Sequence, residues 1–277
     1  MHDRAEFGAI MQELARVLPP STDILRASPE ERRRWLLDRL QRDGRLVAAT
    51  LARELDISED TIRRDLRELA AAGLVQRVHG GALPRSPALE PFAMRRERSS
   101  EAKERLAAAA LSLIRDGQTL LLDGGTTNLA LARRLPAGLR LAVITPSPTI
   151  ALALAEHPAG EVILLGGKLD KASQAVTGAA AVAAVGALRV DLCFLGVCSV
   201  DVSVGISCAG FEEAELKRAM VRSAAEVVAL VTADKLGTAA PFVIGPVDAL
   251  HRIVTETSAP APVLAELAAL GVNIRRA

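Results

Sequence analysis

Two groups of residues in this 277-residue sequence could do chemistry. The first is Arg63, Arg64 and Arg67, followed by Arg77 and His79. Arginine carries a planar fork of donors that fits guanine O6 and N7 or a phosphate. The plainer reading is a solvated surface with local ion pairs to Asp60, Asp65 and Glu68, and His79 fits a structural turn as well as a contact. The second group is three turns: Asp123-Gly124-Gly125-Thr126-Thr127, Gly166-Gly167-Lys168 and Asp234-Lys235-Leu236-Gly237. Glycines let backbone N–H groups approach an anion, threonines add hydroxyls, and a following helix adds its dipole. The first turn reads equally as a tight turn with a threonine N-cap. The second is not a Walker A loop, because Val162 and Leu169 stand where Gly and Ser/Thr are required, and it reads as a glycine turn with a surface lysine. Lys235 could neutralise a phosphate or be solvated. Only five lysines exist, Lys103, Lys168, Lys171, Lys217 and Lys235, which favours a specific role.

Other constellations are weak. Cys193, Cys198 and Cys208 lack a nearby His and zinc spacing, and read as buried apolar groups. They are too few and odd in number for a disulfide framework. Gly196-Val197-Cys198-Ser199-Val200 lacks the last glycine of a nucleophile elbow. No metal or cofactor site is expected. Six aromatic residues and no Tyr argue against stacking of single-stranded bases. The net charge of +1 conceals a local excess, since residues 61–98 hold eight arginines against four acids. With no signal peptide and no apolar stretch of spanning length, a cytoplasmic setting and no membrane partner are expected.

The arginines need a helix to present them. Residues 30–42 read as a helix ending at Gly44, and residues 47–55 as a second. Ser58 can N-cap a third helix over 59–72. There Ile62, Leu66 and Leu69 share one face, and at about 100° per residue the three arginines point away from it. A strand over 74–78, the turn His79-Gly80-Gly81 and a return strand complete a winged helix-turn-helix.

Pro84, Pro87 and Pro91 suit an extended linker. From Ala102 onward apolar strands alternate with helices, which predicts an α/β domain with a mostly parallel sheet. The three turns then fall at the carboxyl ends of strands, where such sheets bind ligands. The expected domains are an N-terminal extension (1–28, with 7–17 fitting a helix), a winged helix (29–83), a linker (84–98) and an α/β effector-binding and oligomerisation domain (99–277).

Thr61-Ile62-Arg63-Arg64-Asp65-Leu66 and Arg77-Val78-His79-Gly80-Gly81-Ala82 resemble the DeoR family of bacterial transcriptional regulators. So do Leu122 to Thr127, Leu165-Gly166-Gly167, Phe194-Leu195-Gly196-Val197, Glu213 to Met220 and Lys235-Leu236-Gly237. The resemblance implies a sensor domain similar in fold to ribose-5-phosphate isomerase and CoA transferases, binding a phosphorylated sugar or sugar-derived metabolite. It adds Ser58 and Thr61 to the DNA-contacting set of Arg63, Arg64, Arg67, Arg77 and His79. The effector set becomes Asp123, Gly124, Gly125, Thr126, Thr127, Gly166, Gly167, Lys217 and Lys235. Two departures stand out. Thr232 precedes the lysine by three residues where many members carry Asp, and Pro146 replaces an Asn after the second strand, in a turn expected to line the ligand.

The expected function is a repressor of carbohydrate-metabolism genes that binds double-stranded operator DNA as a homo-oligomer and is released by the effector. The alternative is a sugar-phosphate isomerase with a DNA-binding appendage, for which Asp123, Asp191 and Glu213 are an acid–base set by fold analogy alone. A third reading is an effector domain that only oligomerises.

Overall fold

A computed structural model describes residues 28–158 and 160–277, so the helix expected over 7–17 lies outside the described residues. The chain divides into two compact units, 1–84 and 85–277.

In the first unit, helix α1 (Pro29–Asp43) is closed at both ends by local chemistry. Ser28 Oγ accepts from Glu31 N at 3.3 Å and Glu31 Oε2 accepts from Ser28 N at 2.8 Å, a reciprocal cap. Gly44 ends the helix in the left-handed region. Strand β1 (Leu46–Val47), α2 (Ala48–Glu54) and α3 (Glu59–Ala71) follow. Trp35, Leu36, Leu40, Leu51, Ile62, Leu66 and Leu69 form the core between the helices. Asp65 also turns inward, where Arg32 of α1 holds it with two hydrogen bonds. The hairpin of β2 (Val75–Val78) and β3 (Gly81–Pro84) gains β1 as a third antiparallel strand. That strand was not evident in the sequence, and it explains Gly81. A Cβ at Gly81 would lie 1.8 Å from the Leu46 carbonyl oxygen, so β1 can pair there only with glycine.

The second unit is built on a seven-stranded sheet whose neighbouring strands are all parallel. In chain order its strands are β4 (Thr119–Leu122), β5 (Leu141–Thr145), β6 (Gly160–Leu164), β9 (Val190–Leu195), β12 (Ala224–Val231), β14 (Arg252–Thr255) and β15 (Asn273–Arg276). Their spatial order is β15-β14-β12-β9-β4-β5-β6. The uninterrupted apolar strands are explained by burial of both faces. Leu121, Cys193, Leu195, Val227 and Ala229 pack on one side. Leu120, Leu122, Leu192, Phe194, Val228 and Leu230 pack on the other. Helices α5 (Ser100–Ala110), α6 (Thr126–Ala132), α7 (Pro148–Leu154), α8 (Ala179–Gly186), α9 (Phe211–Ser223) and α10 (Ala261–Ala269) connect the strands. Two antiparallel additions escaped the sequence reading. They are the hairpin of β7 (Lys168–Asp170) and β8 (Ala175–Thr177), and the small sheet of β10 (Ser199–Asp201), β11 (Gly205–Cys208) and β13 (Phe242–Gly245). Their strands are three or four residues long, too short for a periodic signal.

The stretch expected as an extended linker is a packed strap on the second unit. Ser86 N donates to Ala239 O at 3.2 Å and Ser86 Oγ to Cys198 O at 2.5 Å. Ala88 and Phe92 are buried. The prolines do not prevent this, because Pro87 opens a single 3-10 turn and Pro91 caps α4 (Phe92–Glu97), positions where a missing N–H costs nothing.

Gly81→Ala should lower the unfolding free energy of the first unit by about 1–3 kcal/mol, the usual cost of overpacking. Urea unfolding followed by the Trp35 fluorescence checks it, and an unchanged midpoint would contradict the close approach of β1.

Candidate functional site

In the first unit, α3 starts at Ser58, whose Oγ accepts from Thr61 N at 3.2 Å and lies 2.9 Å from Thr61 Oγ1. Arg63, Arg64 and Arg67 are exposed on the face opposite Ile62, Leu66 and Leu69. The local acids do not neutralise this face. Asp65 and Glu68 are taken by Arg32 and Arg33 of α1. Arg63 Nη2 donates to Glu59 Oε1 at 2.7 Å, Arg64 Nη2 is 3.9 Å from Asp60, and Arg67 has no ion pair among the described residues. Exposed pairs of this spacing are worth about 0.3–0.5 kcal/mol, too little to hold an arginine back from a phosphate. Arg77 on β2 and His79 at the hairpin turn are also exposed.

In the second unit, the chain leaves β4 towards β5 and β6, then returns to lay β9 against the other side of β4. Such a reversal opens a crevice at the carboxyl ends of the two strands. The ends are stitched together. Asp123 N donates to Phe194 O at 3.1 Å, and Asn128 Nδ2 donates to Asp123 O at 3.0 Å and Phe194 O at 2.9 Å. A cavity of about 420 Å³ opens here, lined among others by Gly124, Thr126, Thr127, Gly196, Arg95 and Lys235.

The floor of the crevice is a buried ion pair. Asp123 Oδ2 accepts from Lys217 Nζ and, at 2.8 Å, from Gly196 N, while Oδ1 accepts from Gly124 N at 2.7 Å. Lys217 Nζ also donates to Gly196 O at 2.7 Å and lies 3.3 Å from Glu213 Oε1. Both side chains are at most 4% exposed. Burial raises the Asp123 carboxyl above its ordinary value, against the pull of Lys217. Burial opposes the lysine's charge too, but Asp123 and Glu213 outweigh it and hold Lys217 above the ordinary lysine range. Glycine is required at 196, since a Cβ there would lie 2.4 Å from Gly124 O.

The expected effector residues divide. Gly124, Gly125, Thr126, Thr127, Lys217 and Lys235 line the cavity. Asp123 lies beneath it, and Lys217 has three acceptors around its three N–H groups, so its role here is to hold the floor. Gly166 and Gly167 do not line the cavity. They turn the chain into β7, where Gly167 packs against the Thr177 backbone. The threonine N-cap is absent as well, because Gly125 occupies the cap position of α6 and no side chain caps the helix. Nor does the turn after β5 line the cavity, since Pro146 O accepts from Val176 N at 2.8 Å and Ser147 Oγ donates to Gln174 O at 3.1 Å. Asp191 is not brought to Asp123 and Glu213. It sits at the opposite end of the sheet, accepting from Thr119 N at 2.7 Å.

Several lining residues were not evident in the sequence. Arg95 comes from the strap, donating to Glu90 O at 2.9 Å and Ala172 O at 3.1 Å. Lys168, read as a surface lysine, lines the cavity and pairs with Glu212 at 3.0 Å. Ser173 lines it too, while its Oγ is buried with no hydrogen-bond partner among the described residues. Lys235 Nζ donates to Val197 O at 3.2 Å, and burial lowers it below the ordinary lysine range. Lys103, behind the cavity, donates to Arg95 O and Arg98 O at the end of α4; burial, then Lys235 and Arg95, bring it down to about 8. Nothing local in the sequence marked Arg95 or Ser173, and for Lys103 the only signal was the scarcity of lysine.

Lys217→Met leaves a buried carboxylate without its cation and should cost about 3–5 kcal/mol. Asp123→Asn in the same chain should recover part of that loss. Because the folded-state value of Lys217 is raised, its contribution is complete below its unfolded value of about 10.4 and is lost only above it. Removing Lys217 also removes the charge that pulls the Asp123 carboxyl down, so the deficit measured by urea unfolding should shrink as pH falls and that carboxyl takes up a proton, and grow as pH rises.

Both units match known proteins. The DeoR-like helix-turn-helix domain matches residues 32–87, and the DeoR C terminal sensor domain matches residues 98–257. The HTH-type transcriptional regulator GlpR of Haloferax volcanii is 32% identical over 249 residues, 89% of this chain and 97% of that protein. The glycerol-3-phosphate regulon repressor of Escherichia coli is 29% identical over 235 residues, 84% and 93% of the two chains. Among solved structures, ribose 5-phosphate isomerase A from Methanocaldococcus jannaschii is 20% identical, covering 50% of this chain and 54% of that one at a TM-score of 0.36. With an arginine-faced winged helix and a sensor domain matched in chain order, and with a relative aligned over nearly its whole length, the chain belongs to the DeoR family of transcriptional regulators.

Proposed function

We propose that the chain is a repressor of carbohydrate-metabolism genes, released from operator DNA by a phosphorylated sugar or related metabolite held in the 420 Å³ cavity. The observation that carries this is the composition of the cavity wall at the strand-order reversal. Arg95 and Lys235 offer positive charge, and the uncapped N–H groups at Thr126 and Thr127 offer donors. Glu90, Asp170 and Glu212 offer acceptors for hydroxyl groups. A polyol phosphate matches that mixture better than an apolar ligand does. The glycerol-3-phosphate regulon named for one relative is in line with this chemistry. Ser58, Thr61, Arg63, Arg64, Arg67, Arg77 and His79 form the DNA face, with arginines in a groove and no base stacking.

A sensor fits better than an isomerase. Asp191 is at the far end of the sheet, and Asp123 is committed to Lys217, Gly124 and Gly196, so the acid–base set of Asp123, Asp191 and Glu213 is not assembled in the cavity. The regulator works as a homo-oligomer on a two-fold operator, in the cytoplasm. No helix among the described residues is long and apolar enough to cross a membrane.

Fluorescence anisotropy with fragments of the surrounding genome should show salt-dependent binding. Arg63→Ala should cost about 1–3 kcal/mol where it reads a base, or reduce the salt slope by about 1 where it holds a phosphate. A panel including glycerol 3-phosphate and ribose 5-phosphate should contain a ligand that raises the melting temperature and releases DNA. Lys235→Gln should diminish both effects. DNA binding insensitive to salt, or a flat ligand panel, contradicts the corresponding half of the reading.

A further inference from the structure

The two edges of the seven-stranded sheet are treated differently. A sheet edge carries unpaired N–H and C=O groups, and proteins usually blunt it with charge. At the β15 edge, Asn273 N donates to His251 O and Ala277 N to Thr255 O, so Ile274 and Arg276 turn their backbone groups outward. A second copy pairing antiparallel there would set Arg275 against its own equivalent, a like-charge contact that opposes pairing.

Among the described residues the β6 edge has no such guard. Leu165 N donates to Thr145 O at 2.9 Å, so in the alternating parallel ladder Val162 and Leu164 turn their N–H and C=O groups to the open side. The strand reads Gly160-Glu161-Val162-Ile163-Leu164, with one charge. Ile163 and Leu164 are exposed, and Leu152 of α7 is 76% exposed. Val162, Leu164 and Leu152 line one apolar groove between α7 and β6.

We propose that two copies of this chain join through this edge, β6 against β6, antiparallel and centred on Ile163. That register sets Val162 opposite Leu164 of the second copy, and Leu164 opposite its Val162. These are the residues whose backbone groups face outward, so each pair exchanges both N–H···O bonds. Glu161 then faces Leu165 of the other copy, and the two glutamates are about 13 Å apart along the strands, beyond the screening length. The two-fold axis runs through the sheet, so α7 of each copy lies on the same face. Their exposed Leu152 side chains then cover the groove. The occupant is a second copy because hydrogen bonding, charge spacing and apolar surface are all self-complementary about one point, as a two-fold interface requires. This inference is independent of the effector and its cavity.

Light scattering coupled to size exclusion on the full chain tests it. The wild-type mass should be twice the 29.2 kDa of one chain, or a multiple of that pair. Leu164→Pro removes an N–H that β5 does not use and should halve the mass while urea unfolding stays cooperative. Leu152→Lys, a change at an exposed side chain, should shift the mass in the same direction and decides the matter where the proline variant does not fold. Ile274→Pro, the equivalent change on the β15 edge, should leave the mass unchanged. A monomeric wild type, or an oligomer whose mass neither β6-side variant reduces, would overturn the proposal.

Discussion

Asp123 and Lys217 meet out of water at the one place where the strand order of the sheet reverses, and much of the sensor unit is arranged around that contact. A buried pair of this kind adds little net stability, because desolvation consumes most of the attraction. Its effect is positional, since neither charge can lose the other cheaply. The pair ties α9, which carries Lys217 and Glu213, to the ends of β4 and β9. It also sets the backbone of Gly124 and Gly196 through their N–H groups. With the floor of the crevice committed in this way, the charged groups left to face the cavity are those higher on its wall.

Those groups come from far apart in the chain. Arg95 belongs to the strap that follows the last wing strand, Lys168 and Ser173 to the β7–β8 hairpin, and Lys235 to the turn after β12. Arg95 joins two of them, since its guanidinium reaches Glu90 O in the strap and Ala172 O in the hairpin. On the proposed reading, a ligand that changed these bonds would act on the strap, which follows β3 in the chain. A typical coupling of about 1–3 kcal/mol is within the range of a few such hydrogen bonds. The strap's burial of Ala88 and Phe92 makes it part of the sensor's core packing, so its position is linked to that of the sheet.

The parts of this protein that depend on nearest neighbours were legible in its sequence. Ser58 as a cap, Gly44 as a stop, Ile62, Leu66 and Leu69 as one helical face, and both-sided burial of the strands all follow from local periodicity and backbone preference. The arginine face could be read for the same reason, because one helix carries it. The three prolines misled, since proline excludes a helix interior but suits the first position of a short helix.

Tertiary structure alone decided which residues share the cavity, because sheet order is set by long-range packing. It placed Gly166, Gly167 and the Pro146 turn outside the cavity, paired Lys217 with Asp123 in its floor, and brought in Arg95 across more than a hundred residues from Gly196. It separated Asp191 from Asp123, although both flank adjacent strands, because they lie at opposite strand ends. Among the described residues it also left β6 as a bare edge and β15 as a guarded one. Sequence specified the elements and the chemistry each could offer. The fold determined which of those offers meet, since only packing fixes the distances on which charge and hydrogen bonding depend.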